Sequence, residues 1–242
     1  MARIARVVAI GLPHHITQRG NRRQRTFFEE GDYRLYIELM AEWCDKRGVE
    51  IWAYCLMPNH VHMIVVPSSQ SGLAGAIGEA HRRYSRAVNF REGWRGYLWQ
   101  GRFASFVMDE KHLLACVRYV ELNPVRGRLT ADPWSYRWSS ARSHDTGHDD
   151  DLVKVKPLLD MVGDWRKFLS EEPTEAESEE IRRHERTGRP LGDDKFVGSI
   201  EKLLGRVVRK MRPGPKPGKK HEKSSDHRVS SSKVRHARRK AR

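Results

Sequence analysis

The stretch Leu56-Met57-Pro58-Asn59-His60-Val61-His62-Met63-Ile64-Val65-Val66-Pro67 joins two apolar runs through a short turn signal. Pro and Asn punctuate the chain between runs rich in β-branched and apolar residues, the pattern of two strands joined by a tight turn. In a strand, residues two apart project to the same face, with Cα atoms roughly 6.5 Å apart. His60 and His62 therefore share one face, and two imidazoles so placed can hold one divalent ion. The spacing alone is equally compatible with a histidine pair at a sheet edge whose nitrogens are satisfied by hydrogen bonds. Chemistry requires a third ligand and a nucleophile.

Working outward, the element order is strand His14 to Gln18, helix Asp32 to Lys46, strands Val49 to Leu56 and His60 to Val66, helix Gly72 to Asn89, a strand around Trp99 to Val107, and one more helix. Tyr33, Tyr36, Ile37, Met40 and Cys44 make the apolar stripe of the first helix. Leu73, Ile77, Ala80, Tyr84 and Val88 make that of the second. The order β-α-β-β-α-β plus a helix predicts an α+β fold, a ferredoxin-like antiparallel sheet with its helices on one face.

The added helix supplies what the histidine pair lacks. Asp109 is a suitable N-cap and Glu110 suits the first turn, while Leu113, Cys116, Val117 and Val120 recur at helical spacing. At about 100° per residue, His112, Tyr119 and Asn123 fall on a polar edge beside that stripe. Tyr119 and Asn123 are i, i+4 neighbours, close enough to share one phosphate and one metal ion. Each also has a structural explanation, Tyr119 as a half-buried core residue and Asn123-Pro124 as a helix end.

Four segments, Pro13-His14-His15-Ile16-Thr17-Gln18-Arg19-Gly20-Asn21-Arg22, Leu56 to His62, Leu98-Trp99-Gln100-Gly101-Arg102-Phe103 and Tyr119-Val120-Glu121-Leu122-Asn123-Pro124-Val125-Arg126, occur in the order seen in REP-associated tyrosine transposases. The chain resembles this single-tyrosine branch of the His-hydrophobic-His nucleases over roughly residues 1 to 142. The resemblance implies that His60 and His62 are the metal-binding pair, Tyr119 the nucleophile and Asn123 the third protein ligand, with Mg²⁺ or Mn²⁺ as the cofactor. It also implies a partner, single-stranded DNA carrying a hairpin, cut near the hairpin foot. Relatives occur as monomers and as homodimers that trade the tyrosine helix, and both states stay open here.

The implied chemistry is coherent with the residue types. Two imidazoles and an amide oxygen leave open positions on a divalent ion for water and a phosphate oxygen. A tyrosine nucleophile conserves the phosphodiester energy in a covalent link, which another 3′-hydroxyl can attack, whereas water would hydrolyse the strand. A phenol with pKa about 10 is protonated at neutral pH, so a base or the metal must assist. His112 lies about 10.5 Å along the helix axis from Tyr119 and reads as a surface histidine, and His15 on the first strand is a second possibility. Two other classes remain, a DNA-binding descendant that no longer cuts and a phosphohydrolase acting through water.

Composition bounds the rest. The 242 residues, 38% hydrophobic, suffice for one core of about 140 residues with extra segments. The formal net charge of +15 is uneven: residues 209 to 242 hold 14 Lys and Arg against 2 acidic residues, whereas residues 145 to 185 hold 13 acidic residues against 6 basic ones. We therefore expect a single-tyrosine transposase domain over residues 1–145, a helical extension over 146–212 and a disordered basic tail over 213–242 that binds phosphate without sequence choice. Within the extension, Leu152 to Leu169 suits one packed helix or two short ones and Glu171 to Arg186 a charged, solvent-facing helix. Phe196 to Leu204 suits an amphipathic helix ending near Gly205.

Arg19, Arg22, Arg23 and Arg25, then Arg82, Arg83 and Arg86, and finally Arg95, Arg102 and Arg126 are candidate DNA contacts. Trp94, Tyr97 and Trp99 lie among them, and aromatic rings can stack on unpaired bases. Filling the small core is their alternative task. Cys44, Cys55 and Cys116 form no Cys-x-x-Cys pair and sit in apolar stretches, as reduced core residues do. No secretory or membrane-length apolar run is present, so the expected location is cytoplasmic and nucleoid-associated, away from membranes.

Overall fold

The computed structural model describes residues 4 to 210. The basic tail expected over 213 to 242 lies outside the described residues. Strands β1 (His14–Arg19), β2 (Val49–Met57), β3 (His60–Pro67) and β4 (Ala104–Val107) form one sheet in the order β2-β3-β1-β4. Every pairing is antiparallel. With helices α1 (Glu30–Arg47) and α2 (Gly72–Glu92) in the two crossovers, this is the ferredoxin-like arrangement.

Local chemistry explains where these elements begin and end. Helix α1 starts two residues before the expected Asp32, because Asp32 occupies the third helical position and its carboxylate accepts from the Phe28 and Glu29 amides at 2.7 and 3.3 Å. It stops at Gly48, whose φ of 60° takes the left-handed conformation of a helix C-cap. Strand β4 is shorter than the expected Trp99 to Val107. Gly101 turns left-handed at φ 65° and breaks the extended run, so Trp99 keeps only an isolated bridge to Gly20.

The two crossover helices share one face of the sheet, as expected, and the added helix covers the other, so both faces are buried. Ile16, Tyr54, Leu56, Val61, Met63 and Val65 pack with α1 and α2 in one core. Ala53, Cys55, Met57, Ile64 and Phe106 pack in a second core with helix α3 (Glu110–Glu121). A β-bulge between Ile51 and Ala53 shifts the alternation of β2 so that its later residues match these two faces. Helix α3 buries Leu113, Cys116, Val117 and Val120, the stripe read from sequence. Asp109 caps it by accepting from the His112 amide.

Beyond α3 come the short helices α4 (Asn123–Arg126), α5 (Ala141–Thr146), α6 (Lys156–Leu159) and α7 (Trp165–Ser170), then α8 (Glu175–Thr187) and α9 (Asp194–Leu204). The segment expected as a helical extension shares the cores of the first 145 residues. Leu152, Val153 and Val155 join the first core, and Trp165, Leu169, Ile181 and Leu191 join the second. Residues up to Arg209 accordingly form one compact unit.

A buried carboxylate fixes the end of α3 in this unit. Glu121 is 0% exposed and accepts from Ser140 Oγ at 2.5 Å, His144 Nδ1 at 2.8 Å and Trp165 Nε1 at 2.9 Å. Three donors compensate a charge that would otherwise be costly to bury. They tie α3 to α5, α7 and the turn before α5.

Candidate active site between the sheet and helix α8

Alternation along β3 turns His60, His62 and Ile64 toward α3. On the neighbouring β1, Thr17 pairs with His62 and Arg19 with His60, which sets His15 diagonally beside His62 on that face. The His60 and His62 rings lie 5.0 Å apart between centroids and nearly perpendicular, at 83°. His60 Nδ1 is 2.6 Å from Asn59 Oδ1, and Asn59 Nδ2 donates to the Arg23 carbonyl at 3.0 Å. Because Asn59 presents its oxygen, His60 Nδ1 must carry the proton. Its Nε2 is left with a lone pair.

Arg23 holds its carbonyl there at a conformational cost. Arg22 and Arg23 both adopt left-handed backbone, with φ of 53° and 62°, a region unfavourable for side chains with a Cβ. The loop folds so closely that a Cβ on Gly20 would run into the Gln24 carbonyl. The result is a rigid corner with two exposed arginines at the end of β1 beside His60.

Tyr119 faces the histidines from α3, with its ring 5.6 Å from that of His62 and 6.3 Å from that of His15, edge-on to both. It is 7% exposed. The Arg126 guanidinium lies 4.2 Å from the centre of the Tyr119 ring, and its Nη2 donates to the Tyr119 carbonyl at 2.6 Å. Arg126 Nη1 is buried without a partner. Asn123 lies one turn beyond Tyr119, across the short break at Leu122 where α3 gives way to α4. It is 9% exposed, and its side chain makes no hydrogen bond among the described residues.

Helix α8 closes the site, contrary to its expected solvent-facing role. Ser178 and Ile181 are buried, and Glu185, one turn on, reaches the histidines. Its Oε1 is 3.6 Å from both His15 Nδ1 and His62 Nδ1. His15, His62 and Glu185 form a cluster whose potential ligand atoms lie within 4.8 Å of one another. The Arg182 side chain approaches the Tyr119 hydroxyl from the same helix. Sequence reasoning missed Glu185 and Arg182. The one available signal was Ile181, an apolar residue that marks the inward face of an otherwise charged helix.

Burial dominates the electrostatics. It lowers the pKa of His60 to about 3, helped by Arg19, and that of His15 to about 3. His62 is pushed well below the ordinary value by burial, then by His60 and His15. All three are neutral at physiological pH, the form that can ligate a metal. Burial raises Glu185 to about 7. It also raises the Tyr119 phenol, with Glu185 adding to the rise while Arg126 and Arg182 oppose it.

The candidate DNA contacts separate in space. Arg19 lines a cleft of about 340 Å³ beside the site, together with Thr17, Arg102 and Arg186. Arg22, Arg23, Arg86 and Arg95 are exposed. Arg82 is paired with Glu79 at 2.6 Å, and Arg83 lies over the Trp43 ring at 4.8 Å. Tyr97 is 86% exposed and Phe90 89%, whereas Trp99 is 6% exposed and stacked on His81. Trp99 thus fills the core, and Tyr97 stands free for contact. His112 is paired with Asp109 at 2.6 Å.

Residues 10–123 match the family model described as transposase IS200 like. Over these residues the chain is similar to the IS200-like transposases, and the whole site apart from its α8 side and Arg126 falls within the match. Among solved structures, a REP-associated tyrosine transposase bound to a REP hairpin is similar at 21% identity, covering 62% of this chain and 90% of that one with a TM-score of 0.53. The two share a fold. A putative transposase from Deinococcus radiodurans aligns at 19% identity over 49% of this chain and 95% of its own, with a TM-score of 0.36. No curated protein matches the chain. No helix among the described residues is long and apolar enough to cross a membrane.

Proposed function

We propose that the protein is a metal-dependent single-stranded DNA endonuclease and strand transferase that cuts near hairpins through Tyr119. The observation that carries this reading is the burial of the Tyr119 ring 5.6 Å from His62, in a site whose histidines are neutral. His60, His62 and Asn123 are the proposed metal ligands. The donor set can hold a divalent ion, for which Mg²⁺ or Mn²⁺ is proposed with water completing the oxygen ligands: His60 offers Nε2, His62 has Nδ1 engaged and offers Nε2, and the Asn123 amide is uncommitted among the described residues. Bound there, the ion would polarise the scissile phosphate and offset the charge that develops on it.

The chain's own residues then divide the work. The Tyr119 oxygen attacks phosphorus, the P–O3′ bond breaks, and the proton lost by the phenol ends on the departing 3′-hydroxyl. A 5′-phosphotyrosine link remains, ready for attack by another 3′-hydroxyl. Arg126 holds the Tyr119 ring in place and offers its unpartnered Nη1 to a phosphate oxygen. Arg19, Arg22, Arg23, Arg86, Arg95 and Arg102 supply backbone contacts. Exposed Tyr97 offers a stacking surface for an unpaired base. The hairpin partner is inferred from the REP hairpin carried by the similar transposase.

Incubating the full chain with a hairpin-bearing single strand and Mn²⁺, followed by denaturing gel electrophoresis, tests the reading. A covalent protein–DNA adduct is expected for the wild type and none for Tyr119→Phe, which retains DNA binding. Cleavage without adduct would indicate a water-using phosphohydrolase. Binding without cleavage would indicate a non-catalytic descendant.

A further inference from the structure

His15 Nε2 lies 3.0 Å from His62 Nδ1, with both side chains buried. The two rings are nearly parallel, at 10°, with centroids 5.1 Å apart. Nitrogens 3.0 Å apart between centroids 5.1 Å apart place the rings edge to edge, so this is a directed N–H···N contact and not a face-to-face stack. We propose that His15 is a positioning residue for the metal centre, accepting the Nδ1 proton of His62 at 3.0 Å so that the His62 Nε2 lone pair is presented to the ion, with Glu185 Oε1 anchoring His15 from a place 3.6 Å from Nδ1 of either ring. The proposal rests on His62 being a metal ligand.

The neighbouring histidine shows how the device works. Asn59, itself held by the Arg23 carbonyl, fixes the tautomer of His60 from its Nδ1 side. His15 occupies the corresponding place on His62, one strand away. A metal-bound histidine is oriented by whatever its second nitrogen donates to, and losing that partner costs about 10–100-fold in metal affinity. If His62 donates from Nδ1, His15 must receive at Nε2, and its own proton then sits on Nδ1. That nitrogen is buried without a hydrogen bond, and so is Glu185 Oε1, 3.6 Å away. A small closure of that gap satisfies both atoms and completes a chain from the β3 histidine to the carboxylate of α8.

Phe106 and Tyr119 flank His15 edge-on, at 5.2 and 6.3 Å, which restricts its ring to this orientation. The alternative, in which His15 and Glu185 are themselves ligands together with His62, uses the same atoms but makes a different prediction for glutamine at position 15. An amide oxygen placed near the former Nε2 can accept the His62 proton, yet it is a poor substitute for an imidazole ligand.

Two measurements on the full chain test this. Long-range ¹H–¹⁵N NMR of the metal-free protein reads the His62 tautomer: the proton is expected on Nδ1 in the wild type and in His15→Gln, and on Nε2 in His15→Phe. Calorimetric titration with Mn²⁺ should show about 10–100-fold weaker binding for His15→Phe, near-wild-type binding for His15→Gln, and a smaller weakening for Glu185→Leu. A His62 proton on Nε2 in the wild type, undiminished affinity in His15→Phe, or equal losses in His15→Phe and His15→Gln would overturn the role of His15. Unchanged affinity in Glu185→Leu would remove Glu185 from it. Should the wild type bind no Mn²⁺, the metal reading of His62 fails as well. Should His62→Ala abolish binding while His15→Phe keeps it, the present inference fails alone.

Discussion

Acidification should unfold this protein through histidines that its core holds neutral. Burial lowers His81 to about 3 and His14 to about 4, and both lie away from the proposed metal ligands. His81 receives the Tyr36 hydroxyl at 2.9 Å and stacks on Trp99, while His14 Nε2 accepts from the Ala9 amide at 3.1 Å. The unfolded chain binds protons at pKa about 6.5, so between about pH 6.5 and pH 4 it holds more protons than the native state, and stability falls as pH falls. At about pH 5 each of the two sites costs about 2 kcal/mol relative to neutral pH. Together they remove about 4 kcal/mol, a large part of the 5–15 kcal/mol typical of a domain. Urea unfolding followed by tryptophan fluorescence at about pH 7.5 and about pH 5 measures this loss. His81→Gln, which keeps a hydrogen-bonding side chain but no titration, should lose about 2 kcal/mol less than the wild type between those two conditions. Equal losses in the two proteins would refute the account of His81 as a neutral core residue.

Two further expectations concern packing and contact. Glu121→Ala leaves Trp165 Nε1 without an acceptor, while Ser140 Oγ and His144 Nδ1 keep only longer contacts to the Tyr54 and Ser140 carbonyls at 3.3 and 3.2 Å, and should cost about 1–3 kcal/mol in urea unfolding, with Glu121→Gln milder because one acceptor survives; a loss below about 1 kcal/mol would show that the network does not hold α3. Trp99→Ala should cost about 3–5 kcal/mol of stability. Tyr97→Ala should leave stability within about 0.5 kcal/mol while weakening single-strand binding by about 1–3 kcal/mol, as read by fluorescence anisotropy. Unchanged DNA affinity in Tyr97→Ala would remove that ring from the interface.

The hairpin, the α3 stripe and the element order were legible because they are periodic: alternation in β2 and β3, helical spacing in α1 to α3, and Asp109 at a cap. The His60, His62, Tyr119 group was legible for a related reason, since strand and helix periodicity place each residue on a definite face. The docking of α7 and α8 around α3 was not, because these helices contribute few apolar residues each and dock through Trp165, Leu169 and Ile181, contacts to distant partners that periodicity does not specify. Glu185 was hidden among the many acidic residues of its segment, where nothing local distinguishes a carboxylate aimed at two histidines from those facing water. Trp99 and Tyr97 carry the same signal in sequence. The two rings part in the loop before β4, which starts only at Ala104 beyond the left-handed Gly101, so Trp99 is buried on His81 while Tyr97 is exposed.

The donors to Glu121 come from residues 140, 144 and 165, all downstream of the point where the family match ends. This affects how the chain can change over evolutionary time. A recombinant joining residues 1–123 to the continuation of another relative would inherit a buried carboxyl group without its donors, unless a matching hydroxyl, imidazole and indole arrived in the same exchange. The downstream helices are therefore not an interchangeable module appended to a transposase domain. They and the tyrosine helix share one buried network, so a change on either side of residue 123 requires a matching change on the other.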